Sequence, residues 1–142
     1  MAELLLNKLF ACRDRVQKIR AKLPADAASV RGNELLEAFL SFQIFLLIQD
    51  ASDLGNHLVA AKGLGVPASQ REAFELLARA GILTPEVALE MAAAAALRNR
   101  IAHTYGDVDP VRLVQEAPAG LAAIERYLAQ VGPVIAALPA QP

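Results

Sequence analysis

LLEAFLSFQIFLLI, residues 35–48, is the stretch whose reading decides the fold. A membrane-spanning helix needs roughly 20 predominantly apolar residues, and this run is shorter and interrupted by Glu37 and Gln43. A helix so apolar all round is instead expected inside a core or an interface. We read it as the front half of a long helix from about Asn33, a good N-cap, to Lys62, with KGLGVP as its breaker.

Working outward from that helix, every other segment also reads as helical. Leu5, Leu9, Cys12, Val16, Ile19 and Leu23 step by four and three in turn, forming one apolar stripe that Pro24 closes. Residues 24–32 read as a loop. Ser69 and Glu72 form a capping box for a short third helix, which Gly81 stops. Thr84-Pro85 and Asp109-Pro110 are start signals for a fourth and a fifth helix. The fifth is expected to reach about Leu138, with a bend at Pro118, whose ring removes a backbone donor. No run alternates apolar and polar residues as a half-buried strand would. The expected fold is all-α: one domain over residues 1–142, an up-and-down bundle of about five helices.

Hydrophobic residues make up 55% of the 142 and charged residues 20%, with a net charge of −1. That is too apolar for disorder and leaves apolar surface to be covered by an oligomeric contact. The charge excludes a surface that is basic all over, so nucleic acid would be held by a local arginine cluster. Cys12 is the single cysteine, which rules out an intrachain disulfide. The N-terminal MAELLLNKLFACRDR lacks the order of a signal peptide, and we expect a cytoplasmic protein with no membrane contact.

Chemistry is concentrated in LRNRIAHTYGDVD, residues 97–109, which follows the alanine run 92–96. If the fourth helix continues through His103, Arg98 and His103 differ by roughly 140° around its axis and do not share a face. Convergence on one phosphate would need a bend after Ile101 or a second chain. Spacing alone therefore leaves two readings open: a site, or a cationic helix end that complements the negative end of the helix dipole.

R-N-R-I-A-H-T-Y fits the pattern R-x4-H-x-Y and resembles the HepT-like branch of HEPN domains. LIQDASDLGNHLVA and FELLARAGILTPEVA also have that family's look and order, while Ala96 and Leu97 stand where it often has a glycine and an aromatic. The resemblance implies a homodimeric, metal-independent endoribonuclease toxin with no cofactor. Its RNA-cleaving pair would be Arg98 and His103 at the dimer interface, supported by Asn99 and Arg100. It further implies an MntA-like nucleotidyltransferase antitoxin as partner, which transfers AMP to the motif tyrosine, here Tyr105. The alternative is a non-catalytic helical partner of a nucleotidyltransferase that binds a nucleotide or small substrate, and a third possibility is a purely structural oligomerisation domain.

Asp50, Asp53 and His57 share a face of the second helix, but no further His or Cys joins them, so a hydrogen-bonded polar cluster is expected rather than a metal site. Asp53 and His57 are candidates to border the groove. Glu34 and Glu37 read as solvated, and so by default do Arg71 and Arg79, with contact to RNA phosphates as their alternative. Aromatic residues are only 5% with no Trp, so no stacking platform for single strands is expected.

Overall fold

The computed structural model describes residues 2–103 and 108–139. They form five α-helices: α1 (Ala2–Lys22), α2 (Glu34–Ala61), α3 (Gln70–Arg79), α4 (Pro85–His103) and α5 (Pro110–Ala136). Among the described residues there is no strand. The expected stripe on α1 is buried from Leu5 to Ile19, whereas Leu23 lies beyond the helix end and is half-buried. The connection 24–32 is more ordered than a plain loop. It carries a 3₁₀ turn, Ala27–Val30, capped by Asp26 and pinned by the buried Val30.

The helix starts are built by side chains that satisfy otherwise orphaned backbone donors. Asn33 Oδ1 accepts from the Leu36 N–H at 3.1 Å, and Asp109 Oδ1 accepts from Val111 at 3.0 Å. Ser69 Oγ accepts from Glu72 at 3.1 Å. The Glu72 carboxylate reaches back to the Ala68 N–H, one residue before the position a standard capping box uses. Gly81 follows the end of α3 with a φ of 77°, a left-handed conformation that favours glycine. Helix α5 continues through both Pro118 and Pro133 and ends at Ala136, two residues before the expected Leu138. Pro118 itself is exposed.

Helix α2 is the axis of the bundle and packs on α1, α3, α4 and α5. By length and composition alone it could cross a membrane, but its inner face from Leu40 to Val59 is core. Its packing against α3 and α5 rests on one close approach. The fully buried Tyr127 hydroxyl donates to the Ala51 carbonyl at 2.7 Å, and the Tyr127 ring meets Phe74 edge-on at 5.7 Å. Gly55 makes this possible: a Cβ there would lie 2.7 Å from the Tyr127 hydroxyl and 3.3 Å from Phe74. Burial pushes the Tyr127 phenol well above its ordinary range, so it remains a donor. Cys12 is another buried core group. Burial first, and Asp50 second, push its thiol up to about 12, so it packs as an inert apolar side chain.

Overpacking at this crossing is expected to be costly. Gly55→Ala should lower stability by about 1–3 kcal/mol in chemical denaturation. The same substitution in a Tyr127→Phe background should cost less, because the atom it strikes first is gone. Equal costs in both backgrounds would show that the hydroxyl contact does not set the crossing.

Candidate functional site

The site lies where the last turns of α4 meet the outer half of α2. Arg98 is half-buried between them. Its Nη1 donates to Gln49 Oε1 at 2.9 Å. Its Nη2 and Nε both donate to Asn99 Oδ1, at 2.9 and 3.3 Å. Gln49 in turn donates from Nε2 to Asp53 Oδ1 at 3.4 Å, a weak contact one helical turn along α2. Three of the five guanidinium donors are thus used, and all of their acceptors are amide oxygens.

His103, the last residue of α4, is exposed. The helix continues regularly from Arg98 to His103, so the two side chains leave it on different sides, as the spacing predicts. Within one chain they are not brought together. Asn99 joins Arg98 directly. Arg100 faces elsewhere, lining a polar cavity of about 400 Å³ with Arg112, Asp109 and Glu116 beside the start of α5. Tyr105 lies outside the described residues.

The polar face of α2 is divided between two neighbours. Asp50 leans to α1, where its carboxylate pairs with Arg15 at 3.7 Å, while Asp53 is reached by Gln49. His57 is half-buried one turn further on. Among the described residues no group of three His, Cys, Asp or Glu is placed to hold a metal ion. Arg71 and Arg79 both pair with Glu75, at 3.1 and 3.8 Å, on an exposed face of α3. Glu34 is exposed, but Glu37 is half-buried, more enclosed than a freely solvated residue.

Gln49 is the partner of Arg98 that sequence reasoning missed. Its only signal is a spacing of four from Asp53 on the face turned towards α4. That same face carries an apolar stripe. Leu35, Phe39, Phe42, Leu46, Gln49 and Asp53 recur at steps of four and three, so one line along α2 runs from apolar to polar. Leu35 and Phe42 are 86% and 58% exposed, and Phe39 and Leu46 are half-buried.

A helical bundle of this shape is shared with solved toxin structures. A tri-AMPylated HEPN toxin from Shewanella oneidensis, in complex with an MNT antitoxin, superposes with a TM-score of 0.84. The match covers 94% of this chain and 99% of that one at 20% identity. A chain of a mutant MntA–HpeT toxin–antitoxin structure gives 0.82 over 91% and 98% of the two chains, also at 20% identity. At that identity the likeness establishes the fold.

The particular family is defined by sequence: the chain belongs to the HepT-like ribonuclease family, whose profile matches residues 12–131. It is 34% identical over 86 residues to the tRNA nuclease HepT of Aphanizomenon flos-aquae, a match covering 61% of this chain and 58% of that protein. It is 22% identical over 109 residues to the mRNA nuclease HepT of Shewanella oneidensis, covering 77% of this chain and 81% of that protein. The chain therefore spans little more than half the length of the first of these relatives.

Proposed function

We propose that this protein is a cytoplasmic endoribonuclease toxin that acts as a homodimer, and that a nucleotidyltransferase antitoxin neutralises it by adding AMP to Tyr105. The observation that carries the reading is the Arg98 guanidinium, held at the α2–α4 edge by amide oxygens and standing at the end of a stripe that exposes Leu35 and Phe42. Membership of a family of ribonucleases supports the activity.

Two copies meeting along the outer face of α2 would cover Leu35 and Phe42. They would also bring Arg98 and His103 from both chains to one groove, which one copy alone does not do. In that groove the RNA 2′-hydroxyl attacks its own phosphorus. The 2′-oxygen–phosphorus bond forms and the phosphorus–5′-oxygen bond breaks. His103 suits the proton movements, because imidazole exchanges protons near neutral pH. Arg98 offers a planar fork of donors to the charge that builds on the phosphorane oxygens. The products are a 2′,3′-cyclic phosphate and a 5′-hydroxyl. The chemistry assigned to these side chains needs no metal. Asn99 orients the guanidinium, while Arg100, turned to the α5 side, adds positive charge only at longer range. Asp53 and His57 border it from α2. AMP on Tyr105, two residues beyond His103, would add bulk and negative charge beside an anion site and repel RNA.

His103→Ala should abolish RNA cleavage while leaving the fold and the oligomeric state unchanged, as read by gel assay and sedimentation. Cleavage at the wild-type rate by this variant would overturn the catalytic assignment. If RNA binds but neither wild type nor variant cuts it, the protein is instead a non-catalytic binding partner. Mass spectrometry tests the regulation separately. The antitoxin should add AMP to the wild type and leave Tyr105→Phe unmodified, and modification of that variant would place the acceptor elsewhere.

A further inference from the structure

We propose that Gln49 is the positioning residue for Arg98, and that its being an amide rather than a carboxylate keeps the guanidinium charge available to a phosphate. This rests on the reading of Arg98 as part of the RNA site.

The orientation of the Gln49 amide is forced by its neighbours. A guanidinium only donates and a carboxylate only accepts, so the Gln49 oxygen must face Arg98 and its nitrogen must face Asp53. Asp53 therefore helps to set the aim of Arg98 at one remove, without touching it. Six of the nine other arginines supply a contrast, while Arg13 lies over the Phe10 ring instead. Arg15, Arg20, Arg71, Arg79, Arg112 and Arg126 each pair with a carboxylate. Arg98 is half-buried and pairs with no carboxylate among the described residues. Its hydrogen-bond partners there are the amides of Gln49 and Asn99. An ion pair would hold the side chain more strongly, but it would cancel the charge that a phosphorane needs. Two amides fix the planar group without neutralising it, and the remaining two N–H donors are left for an anion.

The test compares Gln49→Glu, which keeps size and reach, with Gln49→Leu, which removes the acceptor. Both are measured by RNA cleavage and by thermal unfolding. Gln49→Glu should unfold near the wild-type temperature, the ion pair gained with Arg98 offsetting the lost donor to Asp53, yet its kcat should fall by about a hundredfold with a smaller change in KM. Gln49→Leu should lose about tenfold, since the charge remains but is less well aimed. A purely structural role predicts the reverse order, with the leucine variant the worse. Wild-type kcat in Gln49→Glu overturns the proposal, as does a leucine variant at least as impaired as the glutamate one.

A second readout separates this inference from the enzyme reading. Binding of an all-2′-deoxy oligonucleotide, which cannot be cut by this route, is measured with Arg98→Ala as reference. Gln49→Glu should bind about tenfold more weakly than wild type. If the wild type fails to cut RNA, the ribonuclease reading falls, and the binding difference still decides the role of Gln49. Equal binding by wild type and Gln49→Glu overturns the proposal whether or not RNA is cut.

Discussion

The hydroxyl of Tyr127 reaches the backbone of α2 only because residue 55 has no side chain, and much of the molecule's geometry depends on that contact. It pins α5 to the centre of α2, and the edge-on Phe74 ring brings α3 into the same crossing. The contact falls at Ala51, two residues from both Gln49 and Asp53. The crossing that locks the core thus also fixes the stretch of α2 that faces Arg98. Fold and site share a helix, with the dry inner face serving one and the outer face the other.

That outer face is unusual in being ordered by polarity along its length rather than around its circumference. Its first half, from Leu35 to Leu46, is apolar, and its second half carries Gln49 and Asp53. In the proposed dimer, a contact surface that excludes water would lead directly to hydrogen-bonding groups. Electrostatic interactions gain strength at the border of such a dry region. A guanidinium held there by amides can meet a phosphate with less competition from solvent than on an open surface. The paired arginines on α3 and α5 have no such border and are solvated ion pairs of small energetic weight.

Much of the architecture was legible in the residues because helix starts are local chemistry. Asn33, Ser69, Thr84 and Asp109 each announce a start within three residues of the backbone groups they satisfy. The 3₁₀ turn at Ala27–Val30 escaped because a single turn has no periodicity to read. Gln49 and Tyr127 escaped for a different reason. Their partners lie 49 and 76 residues away, and no pattern along the chain couples an amide to a guanidinium or a glycine to a phenol over such a span. The separation of Arg98 from His103 around α4 was readable from spacing alone. That geometry, together with the exposed stripe, is the basis for proposing a second copy of the chain.

The central claim is that the site exists only where two copies meet along α2. Sedimentation equilibrium of the wild type and of Phe42→Glu, run beside an RNA cleavage assay, tests it most directly. The account predicts a wild-type mass of twice 15.1 kDa, and for the variant a single-chain mass with cleavage lost in parallel. A wild type that sediments as one chain while cutting RNA, or a monomeric Phe42→Glu that still cuts at the wild-type rate, would contradict it.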